Sequence, residues 1–207
     1  MKLEIKNLSK KFKENVVLEN VNLTLEGGNI YGFIGRNGSG KTVLLKIISG
    51  FYTPDSGEII LDGINYIKNK SFPDSTRALI EKPNFIPDLT GYENLKLLAS
   101  IQNLIGKKEI DEIVKKLNLT KEINKKYSKY SLGTKQKLGI AQALMENPNM
   151  IILDEPFNGV ENSTAQQIRE LLKQEKEKGK IIIIATHIKD DIEFLADILY
   201  EIDGGQV

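Results

Sequence analysis

The chain has 207 residues, 40% of them hydrophobic, with 29 Lys and Arg against 28 Asp and Glu for a formal net charge of +1. That length fits one domain, or one core with a small lobe, and the balanced charge lacks the basic excess that nucleic-acid binding leaves. No cysteine is present, which excludes disulfides and thiolate metal sites and fits a reducing cytoplasm.

Met1-Lys2-Leu3-Glu4-Ile5-Lys6 alternates charged and apolar residues and lacks the apolar core of a signal peptide. Leu3 and Ile5, then Val21, Leu23 and Leu25, keep the alternation of half-buried strands. Glu26–Asn29 turns the chain into an apolar run, Ile30–Ile34, that reads as a buried strand. Directly after it stands Gly35-Arg36-Asn37-Gly38-Ser39-Gly40-Lys41-Thr42, which fits G-x-x-x-x-G-K-[ST]. Val43, Leu44, Leu45, Ile47 and Ile48 then give a short helix stopped by Ser49-Gly50.

Strand, Gly-rich turn and helix is the arrangement that phosphate binding requires. Glycines let the backbone approach the anion and adopt positive φ, and the helix N-terminus adds partial positive charge. Gly35, Asn37, Gly38, Ser39 and Gly40 are read as the backbone cradle. Lys41 is expected to reach the β- and γ-phosphates, and the Thr42 hydroxyl to bind Mg²⁺. The competing reading, a plain turn with a solvated lysine, does not explain the flanking strand and helix. The predicted ligand is a nucleoside triphosphate.

Pro54–Gly57 turns into a further strand, Glu58–Gly63, so two strand-rich pieces flank the loop and imply a β-lobe beside the nucleotide. From Pro83 to Pro148 the character becomes helical. Thr90-Gly91-Tyr92-Glu93 is a capping box, with Leu95, Leu97, Leu98 and Ile101 predicted on the apolar side of the helix it opens. Glu109–Leu117 reads as a second helix and Gly133–Asn147 as a third, ended by Pro148. The lysines between Lys107 and Lys137 are interleaved with Glu109, Asp111, Glu112 and Glu122, the pattern of a solvated helical face.

Met150–Leu153 returns to a buried strand, a helix runs through Ile168, Leu171 and Leu172, and Ile181–Ala185 is another strand. No apolar stretch approaches the roughly 20 residues that a bilayer span needs. Strands alternating with helices imply a mainly parallel α/β sheet. The expected architecture is one phosphate-loop NTPase domain, with residues 1–82 and 149–207 as core and antiparallel β-lobe and 83–148 as helical subdomain. Asp154, ending the strand, is read as an Mg²⁺ ligand and Glu155 as the general base for an attacking water. His187, the sole histidine, follows Thr186 on the edge where phosphates sit in such sheets, and is placed against the γ-phosphate. Taken alone it reads better as a surface-loop histidine; the rest of the pattern reverses that.

At Tyr130-Ser131-Leu132-Gly133-Thr134-Lys135-Gln136 the chain resembles the ATP-binding cassette (ABC) ATPases, and it does so over essentially its whole length. The segment is similar to the family signature Leu-Ser-Gly-Gly-Gln; Ser131 and Gly133 match, while Leu132 and Thr134 depart. The resemblance implies that Ser131 and Gly133 close on the γ-phosphate held by a second subunit, so that two ATP molecules are sandwiched in a head-to-tail dimer. A plain N-cap at Ser131 is compatible with that role. The resemblance also puts Phe12 where an aromatic ring stacks on adenine, although the residue alone fits the lobe's core equally well. It puts Glu81 where a glutamine usually contacts Mg²⁺ and water; a carboxylate there keeps metal affinity but repels the γ-phosphate. Glu161, in Asn158-Gly159-Val160-Glu161, replaces the usual Asp of a loop that crosses the dimer interface.

The Glu81 variant, the signature and Gly91-Tyr92-Glu93-Asn94 resemble the bacitracin-resistance branch, ATPase subunits of exporters for drugs, lantibiotics and other antimicrobial peptides. The implied partners are transmembrane permease subunits and a second cassette, identical or not, with no nucleic acid and no direct membrane insertion. The implied location is cytoplasmic and peripheral, on the inner face of the cell membrane. Asp203-Gly204-Gly205 looks like the second half of a hairpin that many relatives continue. The alternatives are a soluble mechanochemical cassette acting on DNA or ribosomes, and a low-turnover cassette limited by Glu81 and Glu161.

Overall fold

In the computed structural model, which describes residues 1–207, Leu3, Ile5 and Leu8 of strand β1 (Lys2–Phe12) are buried while their neighbours are not. The skip from Ile5 to Leu8 coincides with a register shift and with a left-handed Asn7 (φ 51°), a bulge that resets the alternation. β1 pairs antiparallel with β2 (Asn15–Glu26) and with β4 (Ser56–Leu61), and the short β5 (Ile64–Asn65) completes a lobe of order β2-β1-β4-β5.

The second sheet is parallel throughout, in the order β6-β7-β8-β3-β9: β6 (Thr76–Leu79), β7 (Met150–Asp154), β8 (Ile181–Thr186), β3 (Asn29–Ile34) and β9 (Ile198–Glu201). Every residue of β7 and β8 is buried, the continuous apolar run that a sheet covered on both faces demands. Ile151, Leu153, Ile182 and Ile184 enter one core, against the helical half of the chain; Met150, Ile152, Ile181 and Ile183 enter another, shared with the lobe.

α1 (Lys41–Ile48) packs into the lobe-side core. α2 (Gly91–Gln102), α3 (Lys107–Lys116), α4 (Leu132–Leu144) and α5 (Asn162–Glu177) supply the other. At the start of α2 the Thr90 hydroxyl accepts from Glu93 N–H (3.1 Å), and the Glu93 carboxylate accepts from Thr90 N–H (2.7 Å). Thr90→Ala removes one of these two reciprocal bonds and is expected to lower unfolding free energy by about 1 kcal/mol, read from urea denaturation. The buried face of α2 is narrower than the sequence suggests. Leu95 and Ala99 are buried, but Leu97 and Ile101 are 48% and 75% exposed.

Two boundaries differ from expectation for local reasons. α3 opens at Lys107, because the Glu109 carboxylate already accepts from Gly106 N–H (2.8 Å). α4 opens at Leu132, capped by Ser131, and ends at Leu144; Asn147, left-handed at φ 52°, breaks the helical path before Pro148. Asp203 and Gln206 close a tight turn through an isolated antiparallel bridge, just after the parallel strand β9.

Candidate nucleotide site

The carboxyl ends of β3, β7 and β8 meet at one edge of the parallel sheet, where doubly wound folds bind ligands. The phosphate loop leaves β3 there and enters α1. Gly40 caps α1 at φ 108°, and a Cβ at that position would press on the Val17 carbonyl oxygen of β2. A Cβ at Gly35 would overlap the Ile202 carbonyl oxygen, so both glycines are required by close backbone approach. Beside Gly38 (φ 83°) the space is open. The Ser39 hydroxyl is buried and has no hydrogen-bond partner in the protein, as fits a group reserved for a phosphate oxygen.

Lys41 is buried, and its ammonium lies across the loop, donating to the carbonyl oxygens of Gly35 (2.6 Å) and Arg36 (2.9 Å). Burial lowers its pKa from the ordinary lysine value, opposed by the charges of Glu155 and Asp154. From the next position the Thr42 hydroxyl donates to Asp154 Oδ2 (2.8 Å), bringing together two residues read from the sequence as Mg²⁺ ligands. Burial raises the Asp154 pKa, opposed by the Thr42 hydroxyl, while the neighbouring Glu155 charge adds to the rise; Glu81 N–H and Lys41 pull it down. No cluster of three or more His, Cys, Asp or Glu forms a metal cage. A hydroxyl and one carboxylate instead suit Mg²⁺, which takes one or two protein ligands and completes its shell with phosphates and water.

Glu155 is held at its backbone and at both carboxylate oxygens. It adopts a left-handed conformation (φ 49°), and its N–H donates to Ala185 O (2.8 Å). Oε2 accepts from the Thr186 hydroxyl (3.0 Å) and Oε1 from His187 N–H (3.0 Å). The His187 ring adds Nδ1 to Oε1 at 2.7 Å, a contact that requires the proton on Nδ1. The Glu155 carbonyl oxygen accepts from Gln136 Nε2 of α4 (3.3 Å).

The remaining sequence candidates lie as follows. Glu81 (φ 63°) turns its largely exposed carboxylate onto Lys46 Nζ (2.5 Å), which raises the lysine's pKa. Phe12 is 43% exposed at the end of β1, edge-on to Tyr52 with centroids 5.7 Å apart, and so is not a core residue of the lobe. The Ser131 hydroxyl accepts from Thr134 N–H (3.2 Å) as the cap of α4, and Gly133 lies near Gly159 and Val160. No hydrogen bond joins Ser131 or Gly133 to the phosphate loop of their own chain. Two side chains that touch Glu155, Gln136 and Thr186, carried no signal as site residues. Thr186 had only its position between β8 and His187 to mark it, and Gln136 only its place in the signature segment.

The family model described as "ABC transporter" matches residues 18–158. The chain belongs to that family. "Uncharacterized ABC transporter ATP-binding protein YybJ" of Bacillus subtilis (strain 168) is 40% identical over 99% of this chain and 94% of its own length. "Bacitracin transport ATP-binding protein BcrA" of Enterococcus faecalis is 40% identical over 95% of this chain, which spans 65% of that relative. "Lantibiotic transport ATP-binding protein SrtF" of Streptococcus pyogenes is 33% identical over 99% of this chain and 88% of its own. Among solved structures, a dimeric ATP-binding cassette in a post-hydrolysis state, bound to ADP and Pi, superposes with a TM-score of 0.87. It is 29% identical, over 99% of this chain and 96% of its own. This ABC protein is therefore an ATPase that binds ATP with Mg²⁺.

Proposed function

We propose that this ABC ATPase powers an exporter of a drug, lantibiotic or other antimicrobial peptide through separate membrane permease subunits. The observation that carries the hydrolytic part is Glu155, fixed by Thr186 and His187 beside the Thr42–Asp154 pair and Lys41. Lys41 leaves the carbonyls of Gly35 and Arg36 to neutralise the β- and γ-phosphates, and the loop N–H groups hold them. Thr42 and Asp154 hold Mg²⁺, which supplies charge neutralisation at the phosphates. Glu155 accepts the proton of the attacking water, and His187 keeps that carboxylate aimed. Phe12 stacks on the adenine. Glu81, paired with Lys46, would add a carboxylate as a further Mg²⁺ ligand.

In this reading the cassette works as a head-to-tail dimer, with an identical or a different second cassette. Ser131 and Gly133, at the positive end of α4, complete the γ-phosphate site of the opposite subunit. Residues 83–148 act as the helical subdomain of a single nucleotide-binding domain.

No helix is long and apolar enough to cross a membrane, so location on the inner face of the cell membrane depends on the permease. A groove of about 560 Å³ between β6, the loop after it and α2 offers a docking place; Ile80, Pro83, Phe85, Ile86 and Leu97 line it. Of these, Ile86 and Leu97 are 46% and 48% exposed. The chain is expected to co-purify from detergent-solubilised membranes with a polytopic protein, and Ile86→Asp to release that protein while ATP binding is retained. Purification without any membrane protein, or retention in Ile86→Asp, would count against the docking assignment.

A further inference from the structure

We infer that Gln136 is a positioning residue for Glu155, making hydrolysis in this chain's own site respond to the position of its signature helix. The inference rests on the proposed roles of Glu155 as general base and of Ser131 and Gly133 as the partner-facing phosphate site.

Left-handed φ is unfavourable for a residue with a Cβ, so the Glu155 peptide keeps φ 49° only because its surroundings over-determine it. Most of those restraints come from one element. Ala185, Thr186 and His187 lie on or directly after β8, whose place beside β7 is fixed by the parallel ladder. The Glu155 carbonyl oxygen takes two more: Asn158 N–H (3.1 Å), from its own loop, and, from a different layer, the Gln136 amide. That amide reaches the Glu155 carbonyl from α4, which packs among the helices on the other side of that core. Gln136 is 6% exposed, and a buried amide at such a place is kept by its hydrogen bond rather than by solvation.

A second contact ties the same helix to the same loop. Gly159 is left-handed (φ 70°), and a Cβ there would overlap the Leu132 side chain, so Leu132 rests directly on the loop that follows Glu155. Leu132 adjoins Ser131, and Gln136 lies on the next turn. The first two turns of α4 therefore grip the segment 155–159 at both ends. Any shift of α4 as Ser131 and Gly133 close on a phosphate is handed to the Glu155 peptide through Gln136. Rotating that peptide swings the carboxylate, and a base misplaced by about 1 Å loses on the order of a hundredfold in rate.

The test uses the full chain, with steady-state phosphate release, ATP-dependent dimerisation by gel filtration, and melting temperature as readouts. Gln136→Met keeps length and removes the donor; it is expected to lower kcat about tenfold, with KM for ATP and the ATP-driven dimer unchanged. Gln136→Lys restores a donor and is expected to recover most of that loss. Gly159→Ala displaces Leu132 instead, and the double variant with Gln136→Met is expected to lose no more than the worse single variant. Unchanged kcat in Gln136→Met, no recovery in Gln136→Lys, or a parallel fall in dimerisation and melting temperature would overturn the inference. So would additive losses in the double variant, which reads the coupling even if one single variant is less stable. Glu155→Gln is the control: if it turns over normally the base assignment itself fails, whereas an inactive Glu155→Gln beside a fully active Gln136→Met sinks only the role of Gln136.

Discussion

Glu155→Gln is expected to stop ATP turnover, with a loss in kcat of on the order of 10²–10⁴, while ATP binding and ATP-driven dimerisation persist. The substitution is isosteric and leaves a side-chain oxygen to accept from Thr186, so the backbone around residue 155 has no reason to rearrange. An amide cannot take a proton from water at neutral pH. Its NH₂ also cannot accept from the His187 backbone N–H, which now donates to Oε1 at 3.0 Å, so the histidine's hold weakens as well. The Thr42–Asp154 pair and the Lys41 cradle are untouched, which separates loss of chemistry from loss of binding. Phosphate release measures the first, and gel filtration with ATP the second. Normal turnover would remove Glu155 from the role of base.

The largest stability effect is expected far from the nucleotide, at the opposite end of β8. Lys180 is buried there, its ammonium held by the Glu175 carboxylate and by Asn147 Oδ1 at 2.7 Å. Lys178 reaches the same carboxylate at 2.6 Å. Burial works against both partners, lowering the pKa of Lys180 and opposing ionisation of Glu175. Two ammonium groups on one carboxylate nevertheless hold the Glu175 pKa below its ordinary 4.5. Glu175→Gln leaves the buried ammonium without a counter-charge and is expected to cost roughly 3 kcal/mol. That corresponds to a fall in melting temperature of roughly 6–12 °C for a chain of this size. A carboxylate with a depressed folded pKa contributes stability above its unfolded pKa and loses it as pH falls through the folded value. The gap between wild type and variant should therefore be full at neutral pH and narrow below about pH 4.5. A constant gap across that range would show that the lost contribution is packing and not charge.

What the sequence disclosed and what it hid follow one physical division. β7 and β8 are legible because both faces are covered and every residue up to the closing Asp154 and Thr186 is apolar. β6 (Thr-Arg-Ala-Leu) buries only Leu79 and carries no hydrophobic run, while β9 has only the three apolar residues Ile198-Leu199-Tyr200, at the sheet edge with none of them buried. Leu97 and Ile101 fit the period of α2 but face outward, because period alone does not say where the core ends. In the site, Lys41, Thr42 and Asp154 announced themselves through spacing that phosphate chemistry imposes. The left-handed turn at Glu155 did not, since Asp-Glu-Pro holds none of the Gly or Asn residues that signal positive φ. Gln136 stayed hidden because one polar residue on a helix has no pattern until its neighbour across the fold is known.

Strand alternation and the turn that follows it give the acidic pair its division of labour. Met150, Ile152 and Asp154 share one face of β7, the face that meets α1, and Thr42 of α1 is the residue that Asp154 finds. Glu155, just past the strand and left-handed, gives its carboxylate to Thr186 and His187 and its backbone carbonyl to Gln136 of α4. Alternation sets the layer of Asp154, and the left-handed turn that follows holds the Glu155 carboxylate against Thr186 and His187. A one-residue slip of β7 would carry Asp154 away from Thr42 and invert both cores together. Selection on the interior and selection on the chemistry therefore guard the same register, and neither can drift without the other.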